Sequence, residues 1–251
     1  MANWKNLKRI LLNKVDSTNL EAKRFLQSRP KEELVIVANE QSSGYGRSGK
    51  DWVSPKGNLY FSIILFPECS LEKSAQLSFV AALALYEVLE RVLVSNRNEI
   101  KLKWPNDVLI NGKKVAGIIL ESVSSGQSKK TNSLIIGVGL NVNSKIVSDE
   151  FEATTLLESH AKELRIDYYL NQFISNLESL YKSWKDKGFE PIRKSWLDKA
   201  YNINKKVSIL GQKKKISGIF TDLDNNGNLL LKMSNGEIKE ISGGSIYFKK
   251  G

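Results

Sequence analysis

The stretch "IKLKWPNDVLINGKKVAGIILESV", residues 100–123, carries the organising signal of this chain. An Asn-Gly pair, Asn111-Gly112, separates two runs rich in aliphatic and β-branched residues. That is the strongest short-range hairpin signal a sequence offers, so the two runs are expected to be antiparallel neighbours. Trp104 precedes a proline and is driven into an extended conformation, so the first run must break there, leaving Asn106 and Asp107 at the break. The plain reading of "KWPND" is a turn around a buried tryptophan. The functional reading is an Asn-Asp pair at the end of a strand, placed to meet a sugar, a Mg²⁺ ion or a urea-like group. Just past the turn, Lys113 and Lys114 point to opposite faces of one strand, and Gly117 lets a ligand approach that strand closely. Either lysine taken alone reads as solvated surface.

Working outward, helical spacing of Leu77, Ala81, Ala84, Leu85, Val88 and Val92 predicts one amphipathic helix over 71–92. Upstream, "LVIVANEQ" (34–41) and "NLYFSIILF" (58–66) read as buried strands. Before them, "DSTNLEAKRFL" suggests a helix starting at Thr18, with a capping box to Glu21 and buried Leu20, Phe25 and Leu26. Downstream, "SLIIGVGLNVN" (133–143) is a further strand, and Leu170, Phe173, Ile174, Leu177, Leu180, Tyr181 and Trp184 define a helix over 166–187 that stops at Gly188. From Asn202 the pattern changes to short strands punctuated by "DNNGN" and "SNGE", which suggests a small β-barrel. The expected division is 1–201 and 202–251.

Between the first two buried strands lies "GYGRSGKDW", Gly44 to Trp52, with three glycines and the cations Arg47 and Lys50. Glycines let backbone N–H groups close on an anion while the cations supply charge. The loop is neither a dinucleotide fingerprint, since it leads into a strand, nor a Walker loop, since no Gly-Lys-Ser/Thr closes it. By spacing alone, a phosphate-handling loop and a mobile surface turn stand level.

Composition bounds the alternatives. The 251 residues carry a formal charge of +11, which favours anionic partners without choosing among them. The pair Lys129-Lys130 and the run Lys213 to Lys215 lack interleaved aromatics and read as solvated surface. No apolar run approaches the ~20 residues of a membrane-spanning helix, and the first residues lack a secretory signal. One cysteine, Cys69, forms no internal disulfide, so a cytoplasmic setting is expected.

In this order, "DSTN", "EQSSGYGRSGKDW", "KWPND", "KKVAGI" and "GVGLNVN" closely resemble the motifs of biotin protein ligases, over essentially the whole chain. The resemblance implies an α/β (α+β) catalytic domain with a mixed β-sheet flanked by helices, of the class II aminoacyl-tRNA synthetase-like biotin–lipoate ligase fold, followed by an SH3-like β-barrel. It implies conversion of biotin and ATP with Mg²⁺ to biotinoyl-5′-AMP, then transfer to a lysine of a biotin carboxyl carrier domain. By motif, Ser17, Thr18, Asn19 and Gln41 match polar groups around the biotin ureido ring. Gly44, Arg47, Lys114 and Gly117 match those near its valeryl chain and carboxylate. Trp52 matches an adenine-stacking residue, Lys103, Asn106 and Asn141 match nucleotide contacts, and Asp107 matches an acidic residue at the reaction centre. No protein ligand to a metal is implied. The family loop usually reads Gly-Arg-Gly-Arg-x-Gly-Arg, so Tyr45 and Lys50 replace arginines here, and looser retention of the intermediate is expected. Some relatives carry an N-terminal helix-turn-helix; with "DSTN" reached by residue 16, no sequence-specific DNA binding is expected. A homodimer through sheet edges stays open. A lipoate ligase of the same fold and a basic nucleic-acid-binding module are the rival readings.

Overall fold

The computed structural model describes residues 4, 7–28, 31–93, 98–123, 133–144, 146, 151–162, 165–210 and 215–247. The basic pairs 129–130 and 213–214 lie outside them.

Strands β1 (Lys8–Val15), β2 (Leu34–Gln41), β3 (Leu59–Leu65), β4 (Ile100–Lys103), β5 (Asp107–Ile110), β6 (Lys113–Val123) and β7 (Ser133–Leu140) form one sheet in the order β1-β2-β3-β7-β6-β5-β4. It is mixed: β1 runs parallel to β2 and every other pair is antiparallel. The hairpin signal is realised at β5 and β6, where Asn111 (φ 52°) and Gly112 (φ 77°) turn the chain with two left-handed residues. The break at Trp104-Pro105 turns β4 back onto β5, so the first run is two strands rather than one.

Every residue of β3 is buried, as befits a central strand covered on both faces. Its alternate residues Leu59, Phe61, Ile63 and Leu65 enter the main core, together with Leu134, Ile136, Val138 and Leu140 of β7. Helices α3 (Leu77–Val92) and α4 (Ile166–Lys187) cover that face. On the other face α1 (Thr18–Ser28) places Ala22 and Leu26 against Leu34, Ile36, Ile64 and Ile135. Gly188 ends α4 at φ 76°, as its position in the sequence suggests.

Three local expectations are corrected. The capping box at α1 does not form: the Glu21 N–H bonds the carbonyl of Ser17, Glu21 pairs with Arg24, and the Thr18 hydroxyl is turned to Gln41 instead. Of its expected apolar positions Leu26 is buried, whereas Leu20 and Phe25 are half-buried. The single helix over 71–92 is two, α2 (Leu71–Ala75) and α3, because at Gln76 the backbone N–H bonds three residues back to Lys73. Strand β7 stops at Leu140, three residues early, since Asn58 Oδ1 accepts the N–H groups of Val142, Asn143 and Ser144. Strand β1, half polar at the sheet edge, and helix α5 (Glu190–Leu197), with Pro191 in its first turn, have no counterpart in the sequence reading.

The tail forms a second, antiparallel sheet of β8 (Lys206–Leu210), β9 (Lys215–Leu223), β10 (Leu229–Lys232), β11 (Ile238–Ile241) and β12 (Ser245–Tyr247), ordered β11-β10-β9-β8-β12. Its turn at Asp224–Asn228 docks on the first unit. The Trp104 indole N–H donates to Gly227 O at 3.0 Å, and Gln76 Nε2 donates to Asn225 O at 2.7 Å. Arg193 of α5 binds Asp222 and donates to Leu223 O at 3.1 Å. The tryptophan of "KWPND" is therefore a joint between the two sheets.

A Cβ on Gly227 (φ 82°) would lie 2.4 Å from Phe79 Cε2, whereas Gly236 (φ 85°) has nothing within 4 Å. Gly227→Ala is expected to destabilise the protein by about 2–3 kcal/mol and Gly236→Ala by about 1 kcal/mol, the difference measuring overpacking rather than backbone strain. Denaturant midpoints read both, and equal losses would contradict the docking described.

Candidate functional site

Alternation along the central strands makes the site. With aliphatic residues of β7 facing the core, Gly137 and Gly139 face the opposite side, and on β6 Gly117, Ile119 and Glu121 share that side. Paired residues across the sheet form rows: Lys103, Asp107, Gly117 and Gly139 in one, and Ile119, Gly137 and Ser62 in the next. Glycines at the row centres leave a trough. Lys114 is three residues from Gly117, so simple alternation would turn it to the core. A bulge prevents this: Val108 pairs with Ala116 and Leu109 with Lys114, leaving Val115 as the extra residue, buried in the core. Lys114 is thereby re-aimed into the trough.

The trough opens into a cavity of about 1420 Å³. Ser17, Thr18 and Asn19 at the start of α1, Gln41, and the row residues form one end and the floor, and the segment 45–53 forms a flap over them. Leu210, Ser242, Gly243, Gly244 and Ile246 close the wall from the second sheet. Its charged lining comprises the cations Arg47, Lys50, Lys103, Lys113 and Lys114 against the acids Asp51, Asp107 and Glu152.

The polar end is tightly wired. The Thr18 backbone N–H donates to Gln41 Oε1 at 2.8 Å, and Gln41 Nε2 donates to Ser54 Oγ at 2.8 Å. Ser62 Oγ lies 2.8 Å from Thr18 Oγ1 and hydrogen-bonds Asn19 Oδ1. Gly44 is required by close approach, because a Cβ there would meet Ser54 Oγ at 2.5 Å and Trp52 O at 2.6 Å. The flap closes on itself through Trp52 N–H to Gly44 O (2.9 Å) and Gly46 N–H to Lys50 O (2.7 Å), with Ser48 (φ 58°) and Gly49 (φ 71°) at its tip.

Lys114 Nζ lies 2.7 Å from Asp107 Oδ1, both side chains being less than one-fifth exposed. It also stands 4.9 Å from the Trp52 ring centre and 4.7 Å from that of Phe151. Trp52 packs on the glycines: a Cβ on Gly139 would lie 2.5 Å from its Nε1, and that indole N–H is buried with no hydrogen-bond partner. Arg47 reaches the second sheet, Nη1 donating to Gly244 O at 3.4 Å; burial lowers its pKa and Asp107 opposes the shift. Burial likewise holds Lys103 below the ordinary lysine range, opposed by Asp107 and reinforced by Lys114 and Lys50.

The expected site residues thus gather around one cavity, with three qualifications. Gly44 is not among its lining residues and is packed against Gln41, Trp52 and Ser54. Asn106 lines it but gives Nδ2 to Ile118 O at 2.5 Å, pinning β5 to β6. Asn141 lies behind the wall, fully buried, its Nδ2 donating to Thr154 O at 3.2 Å and its Oδ1 unpaired. Sequence reasoning missed Ser62, Glu121 and Phe151; period-two counting from Gly117 would have found Glu121.

A mixed sheet with a glycine-floored trough and a cationic flap, joined to a small antiparallel sheet, thus builds one covered site lined by five cations and three acids. The family model "Biotin/lipoate A/B protein ligase family" matches residues 11–141, and "Biotin protein ligase C terminal domain" matches residues 203–249. A biotin–[acetyl-CoA-carboxylase] ligase of Paracoccus denitrificans is 34% identical over 95% of this chain and 99% of its own. The bifunctional ligase/repressor BirA of Bacillus spizizenii is 31% identical over 92% of this chain and 71% of its own. A biotin protein ligase from Aquifex aeolicus, solved in complex with biotin and ATP, superposes with a TM-score of 0.79 at 32% identity, covering 96% of this chain and 97% of that one. The chain belongs to the biotin/lipoate A/B protein ligase family, on its biotin protein ligase branch.

The Lys103 shift has a definite sign. With a folded pKa below the unfolded one, the ammonium destabilises the fold at neutral pH, and the penalty fades as pH rises from the folded pKa toward the ordinary value near ~10.4. Lys103→Met is expected to be more stable than wild type at pH 7, by a margin that shrinks toward pH ~10. Denaturant titrations at the two pH values test this, and a margin that grows with pH would contradict it.

Proposed function

We propose that this cavity binds biotin and ATP, joins them as biotinoyl-5′-AMP with release of pyrophosphate, and passes the biotinoyl group to a lysine of the biotin carboxyl carrier domain of acetyl-CoA carboxylase. The observation that carries the reading is that Arg47 of the flap and Lys114 of β6 line one cavity, with the Ser17-Thr18-Asn19-Gln41 cluster at its end.

In this reading the ureido ring, with a carbonyl acceptor and two N–H donors, sits at the cluster of hydroxyl, amide and carbonyl groups. The valeryl chain runs over the trough at Gly44 and Gly117. Its carboxylate oxygen attacks the α-phosphorus, and the P–O bond to pyrophosphate breaks. Two anions must approach each other, so cations that neutralise both lower the barrier, and more so where water is excluded. Arg47 and Lys114 are placed for this, Lys114 exchanging its contact with Asp107 for the ligand. Trp52 leaves its seat on the glycines to stack on adenine, with Lys103 and Asn106 along the nucleotide and Asn141 supporting the wall. Magnesium fits as a passenger of the triphosphate. A phosphate-bound Mg²⁺ needs only one or two protein carboxylates, Asp107 is a carboxylate of the floor, and no group of three or more ligating side chains occurs among the described residues. Bound there, the ion would add positive charge at the phosphates.

In the second half-reaction a neutral lysine amine attacks the acyl carbon, AMP leaves, and the amine's proton passes to Asp107 or to the departing phosphate. The flap excludes water from the acyl phosphate in the interval. We assign residues 1–201 to the catalytic unit and 202–251 to a barrel that completes its wall. No helix is long and apolar enough to cross a membrane among the described residues. A cytoplasmic enzyme with no sequence-specific DNA binding, and with homodimerisation through sheet edges as an added option, is part of the same proposal.

Incubation with ATP, Mg²⁺, biotin and a carrier domain is expected to add one biotinoyl group, read by mass. Biotin, not lipoate, is expected to stimulate ATP–pyrophosphate exchange. Arg47→Ala and Lys114→Ala are each expected to lower that exchange about 10²- to 10³-fold, as removal of a charge-stabilising group does. Exchange driven equally by lipoate, or unaffected by both variants, would overturn the reading.

A further inference from the structure

The underside of the flap carries a polar cluster of which only Asn19 has a role in the chemistry above. Tyr45 OH donates to Glu121 Oε2 at 2.7 Å. Lys23 Nζ pairs with Glu121 Oε1 at 2.7 Å, and Asn19 Nδ2 donates to Oε2 at 2.8 Å. Lys23 Nζ also lies 3.4 Å from Tyr45 OH. Three segments distant in sequence, the flap, α1 and β6, thus converge on one carboxylate. Glu121 reaches it by strand alternation, two residues beyond Ile119 and four beyond Gly117 on the trough side. Burial pushes the Glu121 carboxyl up, but hydrogen bonds from Lys23, Asn19 and Tyr45 outweigh that and hold it below the usual range, so it is ionised at neutral pH. Burial and Glu121 together raise the Tyr45 phenol, which therefore stays a donor.

Between Tyr45 and the tip, the flap is separated from β6 by a second cavity of about 320 Å³, lined by residues 45–49 and 119–121. The tip thus spans a gap. Arg47, two residues beyond Tyr45, lies between two anchors, Tyr45 on Glu121 and Trp52 on the glycine floor, and itself donates to Gly244 O.

We propose that Tyr45, Glu121 and Lys23 form a latch that positions the flap, sets Arg47 in the cavity and, given the function proposed above, governs how long the activated intermediate is retained. An arginine at position 45 would place a second cation beside Lys23, so the tyrosine is not a weakened arginine. It is a neutral donor matched to a carboxylate that is already paired.

Two readouts test the latch. Ligand-free protein is digested briefly with trypsin, and cleavage after Arg47 and Lys50 is compared with cleavage after Lys182 and Lys185 of α4. Tyr45→Phe, which keeps the ring, and Glu121→Leu, which removes the acceptor, are each expected to speed flap cleavage about tenfold, as loss of one hydrogen bond to a charged acceptor does, with α4 cleavage unchanged. The double variant should be no faster than either single one, because both break the same contact. Release of preformed biotinoyl-5′-AMP, followed by chase with unlabelled biotin and ATP, should rise by a similar factor in Tyr45→Phe. Unchanged flap cleavage, an equal rise at α4, additive effects, or faster cleavage with unchanged release would each overturn the proposal. The cleavage arm needs no substrate, so it decides the latch even if the wild type shows no biotin-dependent exchange; that failure would count against the function instead.

Discussion

The whole site depends on a constraint of strand geometry: side chains alternate, so filling one face of β6 and β7 with aliphatics leaves the other face free to be empty. Leu134, Ile136, Val138 and Leu140 bury the sheet against α3 and α4, and Gly137 and Gly139 open the trough behind them. A Cβ on Gly137 would lie 2.2 Å from Asn19 Oδ1 and one on Gly139 2.5 Å from Trp52 Nε1, so the trough exists only because nothing projects there. The hydrophobic core and the proposed binding site are opposite sides of the same strands, and stability on one side leaves shape on the other.

Charge is arranged against that floor with unusual economy. Asp107 stands in the same cross-sheet row as Lys103 and Gly117 and is the direct partner of Lys114, so the central carboxylate faces two lysines. Arg47 and Lys103 both sit where burial works against their charge. Desolvated cations held close together repel one another, so such a site gains when an anion enters, which supports the proposed binding of a carboxylate and a polyphosphate there.

The second sheet belongs to the same design. Its turn at Asp224–Asn228 is gripped by Trp104 and Gln76, and the segment near Gly244 meets Arg47. The break between α2 and α3 puts the Gln76 side chain between the units, where it also accepts the Trp184 indole N–H at 2.7 Å. The flap therefore touches both sheets, and the wall of the cavity is shared between them.

Much of this was legible from residues in order. The Asn-Gly turn, the Trp-Pro break, the aliphatic strands, the helix stopping at Gly188 and the barrel-like tail are local signals, and local stereochemistry decides them. The glycine loop could be read as flexible and cationic, but not as roofing a cavity. What the sequence could not reveal is where neighbours compete for the same group. Thr18 would cap a helix in isolation, yet Gln41 and Ser62 claim its hydroxyl. Counting by twos from Gly117 turns Lys114 away from the site, and only the bulge at Val115, imposed by pairing with β5, turns it back. Tyr45 looked like a missing arginine until the fold brought Lys23 and Glu121 beneath it. The sequence alone determined most of the strands and helices, though not β1, α5 or the break at Gln76, and which residue types are available for chemistry, because those follow from periodicity and backbone preference. Tertiary structure alone decided which side chains meet, because register, bulges and burial depend on partners far away along the chain.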